Sequence, residues 1–412
     1  MELIQLTMTI SEIVTNYPET REVFINNGFP IFADDTVVQQ LGVMLKLKTA
    51  LKSKGINPAS FLLLLEEKIA EKRQYNNLQT TVFENSSEHL NMLSLLPCPL
   101  KVPMQSELKL FLDYLREEKN IPLNYCIESF FNDHLDYEDY LEHFETLDEI
   151  PDIIMTAGYS FFYKKFMEKF VTQGVFADVI NRPVNSRLAE AGMIDPDGHF
   201  TVIGANILVM VVDKKRLGNI PMPTSWGDLL KPEYENKVVM RGHGDIFCDV
   251  VHLNYYKDYG LTGVEQLARS VKYGLHPAQM VKELTSNRTD VPPIHIMPYF
   301  FYKTMKESDN IKIVWPAEGI LAYPISVLIK ADKMQELEEL ADYLTGPHIG
   351  RICAEAYFPA VHADVKVNLP EHVKLKWLGW DFIKNNDIKQ LVDTMNDVFM
   401  SIYRAGGKNV CS

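Results

Sequence analysis

The chain has 412 residues, 46% hydrophobic and 23% charged, and a formal net charge of −14. That length exceeds what one core usually organises, so two or three ordinary globular domains are expected. The acidic balance argues against nucleic acid or an anionic membrane surface as the main partner, and no stretch nears the roughly 20 apolar residues that span a bilayer.

Residues 1–72 read as a small all-α domain. Thr9 and Glu12 make a capping-box pattern ahead of Ile10, Ile13 and Val14 on one face. Pro18 suits the first turn of a second helix ending at Asn27-Gly28. Thr36 with Gln39 suggests a second capping box, opening a third helix through Val37, Leu41, Met44, Leu45 and Lys48. Asn57-Pro58 starts a fourth helix carrying Phe61, Leu62, Leu65 and Ile69. The strings Met8 to Val14, Tyr17-Pro18-Glu19-Thr20, Val23-Phe24 and Asn27-Gly28-Phe29 resemble the small bacterial domain DUF1858. Many of its members carry cysteines after the Gly-aromatic pair; here Phe29-Pro30-Ile31-Phe32 stands there, which leaves a docking module for a partner protein.

Residues 73–92 are polar and aperiodic and read as a linker. From 93 onward strands alternate with helices: a strand at Leu93 to Leu96, a helix at Glu107 to Glu118, a strand at Leu123 to Ile127, a helix at Tyr137 to Phe144, and a strand at Asp152 to Met155. Such alternation implies a parallel sheet covered on both faces. A fully apolar strand, Ile207 to Val212, leads to Pro223-Thr224-Ser225-Trp226, whose Trp seeds a short helix before the buried strand Val238 to Met240. Further on, Ile320 to Ile329 is a second long apolar strand, followed by a helix at Glu336 to Leu344, Gly346-Pro347-His348-Ile349-Gly350, and Tyr357-Phe358-Pro359-Ala360-Val361.

That order of elements resembles the bacterial solute-binding proteins of ABC importers, in the iron-binder-like branch. The resemblance covers about 93–412. It implies an α/β, two-lobed, type II periplasmic-binding-protein-like fold behind the helical domain. Lobe one would be 93–204 and lobe two 205–315, with 316–412 returning through the hinge to complete lobe one. The hinge strands would be near 205–213 and 320–329.

In open α/β sheets, ligands bind beyond the carboxyl ends of strands, where helix N-termini carry unpaired N–H groups that favour anions. This places Cys98, Lys101, Thr156, Gly158, Tyr159 and Ser160 on the first lobe's side of a cleft. Gly242, His243, Gly244, Asp245, Tyr299 and Tyr302 stand on the second lobe's side. The glycines around His243 permit close backbone approach to a ligand. Ferric binders of the family place two adjacent tyrosines after the strand corresponding to Ile294 to Met297. Phe300 and Phe301 occupy that place here, and a phenyl ring ligates no metal. A soft metal site would draw on Cys98, His243 and Cys248, although no ligand spacing supports one.

No motif requires a cofactor. No P-loop, G-x-S-x-G, H-E-x-x-H or dinucleotide fingerprint is present, so binding is favoured over catalysis. The alternatives are a cofactor-biosynthesis enzyme on the same fold, with His243 and Cys248 doing chemistry, and an importer's binding protein for iron. Five cysteines without CxxC spacing argue against a disulfide framework. The first residues, Met1 to Thr9, lack the parts of an export signal. The sequence therefore predicts a cytoplasmic sensor or carrier that closes on an anionic metabolite or metal complex. It would not insert into a membrane, and its closed state would pass to a partner through the helical domain.

Overall fold

The computed structural model describes residues 4–43, 45–76, 91–129, 141, 144–179, 183–243 and 246–408, with backbone alone for 70–76, 128–129 and 243. The N-terminal part is helical: α1 (Ile10–Asn16), α2 (Thr20–Asn26), α3 (Asp35–Gln40), α4 (Leu47–Lys54) and α5 (Pro58–Asn76). The Thr9–Glu12 capping box caps α1 as read. The third helix differs from expectation. Asp34, not Thr36, caps it, accepting the Thr36 N–H at 2.8 Å, and it stops at Gln40. The chain then turns at 41–43 and begins α4 separately, so Leu41 is exposed rather than on a helical core face. Phe24, Phe29, Phe32 and Phe61 pack ring against ring at 5.3–6.2 Å in this domain's own core. The phenylalanines after Gly28 are therefore core fillers.

The rest is a two-lobed α/β structure built on one twelve-stranded sheet. In chain order its elements are β1 (Met92–Leu96), α6 (Cys98–Lys119), β2 (Tyr125–Ser129), β3 (Ile153–Ala157), β4 (Phe176–Ala177), β5 (Thr201–Asp213), β6 (Val238–His243), β7 (Ile246–Phe247), α7 (Asp249–Ser270) and β8 (Val271–Leu275). They continue through α8 (Pro277–Thr285), β9 (Ile294–Pro298), α9 (Tyr299–Thr304), β10 (Ile311–Val314), β11 (Ile320–Lys330), α10 (Glu338–Thr345), α11 (Pro347–Glu355), β12 (Leu375–Lys376) and α12 (Ile388–Ala405). The sequence helix at Tyr137 to Phe144 lies outside the described residues apart from Leu141 and Phe144.

Strands β5 and β11 carry the sheet from one lobe to the other. The first half of β5 pairs with β11, which pairs in turn with β3 and so with β1 and β2. The second half of β5 pairs with β9, which pairs with β6 and β8. All 13 residues of β5 and all 11 of β11 are buried, which is why Ile207 to Val212 and Ile320 to Ile329 read as long, largely apolar runs. Trp226 pins the crossing: its indole N–H donates to the Gly319 carbonyl at 2.8 Å, and the Tyr255 hydroxyl donates to its carbonyl.

Candidate functional site

Because β1 and β3 run parallel, their carboxyl ends share one edge of the first lobe. Strand β11 is antiparallel to β3 and pairs Ile325 with Ala157, which brings Tyr323 to the same edge. Asn206 on β5 is its register partner, and the Asn206 amide donates to the Tyr323 hydroxyl. Tyr159, just past β3, lies 6.2 Å from Tyr323 between ring centroids. From the second lobe come Arg241, within β6, Cys248, which caps α7, and Asp249 and Asn254 in its first turns. These groups are electrostatic neighbours of the two tyrosines.

The polar balance of this centre is uneven. Tyr159 is 1% exposed, Asn254 is likewise buried, and Asn254 stands near the Tyr159 hydroxyl. By geometry neither that hydroxyl nor Asn254 Oδ1 completes a hydrogen bond, although Asn254 comes close enough to favour the ionised form of the phenol against the larger effect of burial. The Asn254 amide nitrogen instead donates back to Val250 at 2.8 Å. Thr156 and Ser326, register partners across β3 and β11, also bury hydroxyls without partners. Buried polar groups are almost always paired, and leaving one bare costs about 1–3 kcal/mol. Several such atoms, Tyr159 Oη, Asn254 Oδ1, Thr156 Oγ1 and Ser326 Oγ, lie along this edge.

Burial governs the titration of these groups. It raises Tyr159 and Tyr323 well above the ordinary tyrosine value, so both are neutral phenols. Burial, with Asp249 beside it, pushes the Cys248 thiol up to about 11. Burial also raises Asp249 itself, against the opposing pull of Arg241. Asp249 and Arg241 are both part-buried, so an acid and a cation stand beside Tyr323.

The residues named from sequence do not all gather here. Tyr159 stands at the centre, Thr156 and Ser160 are buried beside it in the chain, and Gly158 (φ 153°) breaks the strand before it. Cys98 and Lys101, expected at the cleft, belong to the first turn of α6, which starts nine residues earlier than the apolar periodicity indicated; Pro99 suits that turn. Cys98 is half-buried there and Lys101 buried. Gly242 lies within β6, which continues to His243 and folds back through β7, so the expected turn is a hairpin. A Cβ on Gly242 would meet the Phe247 ring at 2.9 Å; its openness serves that ring. The His243 side chain, Gly244 and Asp245 lie outside the described parts. Tyr299 and Tyr302 stack at 6.3 Å among Trp315 and Tyr357, a second aromatic group. Phe300 and Phe301 are buried. Among the described residues no three His, Cys, Asp or Glu side chains converge to hold a metal.

Sequence reading placed Arg241 in the cleft segment that runs to Cys248 but missed Asn206, Tyr323, Asp249 and Asn254. The available signal was a single amide and a Tyr-Pro inside two otherwise apolar crossing strands.

Residues 148–386 match the family of bacterial extracellular solute-binding proteins, and residues 4–62 match the domain of unknown function DUF1858. No curated protein matches the chain. Among solved structures it is similar to ferric iron-binding protein A of Mannheimia haemolytica in an open conformation, with TM-score 0.51 and 17% identity over 77% of this chain and 98% of that one. It is similar also to the Trichodesmium protein IdiA (FutA) in complex with iron and citrate, with TM-score 0.51 and 13% identity over 78% and 99%. A third is the periplasmic binding protein P5PA, at 0.51 and 13% over 76% and 100%. At these identities the likeness shows the fold. The cytoplasmic place expected from the first residues is corrected by the extracellular description of the matched family and the periplasmic one of the third structure. More than half of the chain lies within the matched region, and the chain belongs to the bacterial extracellular solute-binding protein family.

Proposed function

We propose that the protein carries a small solute outside the cytoplasm, held between its lobes at the Tyr159–Tyr323 centre. The observation behind this reading is the set of buried, unpartnered polar atoms, Tyr159 Oη and Asn254 Oδ1, contributed by opposite lobes beside the crossing strands. The lobes close by bending at β5 and β11, and the solute completes the hydrogen bonds that closure would otherwise strand. Arg241 supplies a cation beside Tyr323, which suits a carboxylate-bearing anion, free or carrying a metal. The Trichodesmium structure contains such a pair, iron with citrate, and citrate with and without ferric ion is the first probe.

The test begins with native mass spectrometry and elemental analysis of protein purified without chelator. Calorimetric titration of citrate, ferric citrate or the co-purified molecule follows, on the wild type and Tyr159→Phe. Loss of the hydroxyl should weaken binding by about 1–3 kcal/mol. Equal affinity in the two proteins would move the solute away from this centre.

A further inference from the structure

The N-terminal domain is not merely tethered to the lobes. Its last helix, α5, packs against both α6 of the first lobe and α9 of the second. The side chains of α5 divide accordingly. Phe61, Leu65 and Ile69 enter the helical domain's own core, whereas Leu64 enters the core of the α/β structure. Ahead of α5, Lys306 of the second lobe lies beside Gly55, and Asn57 donates to the Tyr357 hydroxyl at 3.2 Å.

Tyr357 joins all three bodies. It follows α11, which packs on α6 and so belongs to the first lobe. Its ring meets Tyr299 of α9 edge-on at 5.7 Å, and the Lys303 ammonium of the same helix sits 5.3 Å over its face. Its backbone is left-handed, with φ 63°. That conformation ends α11 locally: the Tyr357 N–H donates to Ala354 at 3.0 Å and the Phe358 N–H to Cys353 at 2.8 Å, which turns the ring off the helix toward α9 and Asn57.

We propose that the helical domain is a built-in clamp: α5 and Tyr357 bridge the lobes and set how far the cleft opens. When the lobes part, α6 and α9 separate, and α5 cannot remain seated on both. Opening therefore requires the domain to release one of them, which makes its docking a control on access to the solute site. The inference rests on the reading that the lobes close on a solute, but its test needs no ligand.

The experiment uses the full-length chain, with spin labels on non-canonical residues at Glu338 on α10 and Lys282 on α8, both exposed. Helix α10 is fixed to the first lobe by Tyr343 stacked on Phe111 at 3.9 Å, and α8 packs on β9 of the second. Pulsed dipolar spectroscopy reads the lobe separation in the wild type, Leu64→Glu, Tyr357→Gly and the control Leu110→Glu, whose residue is an exposed site on α6. In Leu64→Glu and Tyr357→Gly the longer-distance population should rise at least about threefold, with the control unchanged. An unchanged distance distribution in both variants overturns the clamp, whether or not circular dichroism shows the N-terminal helices intact. Failure of the solute reading would appear separately, as unaltered calorimetry in Tyr159→Phe.

Discussion

His252 gives the most quantitative prediction. It lies in the first turn of α7, beside the helix start that presents Cys248 and Asp249, and is 1% exposed. Its ring stands 4.5 Å from Phe399 and 6.5 Å from Phe247, and Nε2 has no hydrogen-bond partner. Burial alone, with no anion to oppose it, lowers its pKa from 6.5 to about 3. The sign follows from where the proton binds. Between pH 6.5 and 3 the unfolded chain protonates this ring and the folded chain does not, so acid favours unfolding. Each pH unit below 6.5 costs about 1.4 kcal/mol, or about 2 kcal/mol at pH 5.

The perturbation is His252→Leu. Its packing cost is the same at every pH, so the quantity to read is the change in the stability difference between variant and wild type. All four tryptophans lie beyond residue 200, so their fluorescence follows urea unfolding of the α/β structure without the helical domain. Between pH 7.5 and 5 the wild type should lose about 2 kcal/mol more than the variant. The variant will keep some slope, because burial lowers His295 as well. Asp249, whose raised pKa acts in the opposite direction, is common to both proteins and cancels. A difference that stays constant over this range would show that His252 is charged or solvated in the folded state, and that α7 is not packed as described.

Three further outcomes are expected. Gly242→Ala should destabilise the protein by about 1–3 kcal/mol in the same urea assay, since the new methyl meets the Phe247 ring at 2.9 Å; a neutral result would mean that the ring moves aside. At pH 8 an aromatic disulfide reagent should modify Cys98 at least about tenfold faster than Cys248, whose thiol is buried and held near 11, as mapped by peptide mass spectrometry. Ferric titration should produce no visible phenolate band that Tyr299→Phe or Tyr302→Phe removes, because their intervening neighbours Phe300 and Phe301 offer no ligand and burial raises Tyr299 to about 12. A band lost in either variant would place an iron site at the second aromatic group.

What the sequence disclosed follows from which signals are one-dimensional. The crossing strands were legible because strands buried on both faces become long apolar runs, and few other structures do. The α1 cap was legible because its two partners are three residues apart. The third helix was misjudged because Asp34 and Thr36 are both good caps, and only the packing of 41–43 decides between them. The start of α6 was misjudged because its first turn is proline-rich and lacks apolar periodicity. Tyr159 was found through its place after a strand. Asn206 and Tyr323 were not, since their meaning depends on the β5–β11 register, which places two residues 117 positions apart directly opposite each other.

That register also explains how the proposed site would work. Asn206 and Tyr323 sit where the sheet passes between lobes, and their hydrogen bond lies within the crossing itself. Under the proposed closure it would stay within the crossing and favour neither form, as a floor to the site. Tyr159 belongs to one lobe and Arg241, Asp249 and Asn254 to the other, so their mutual distances are what closure changes. A solute touching only the floor would bind open and closed forms equally and shift nothing; one that spans Tyr159 and Asn254 binds the closed form better and draws the lobes together. The clamp at Tyr357 acts on the same equilibrium from outside. Releasing α5 should therefore weaken solute affinity by the factor by which it raises the open population, without altering any residue that touches the solute.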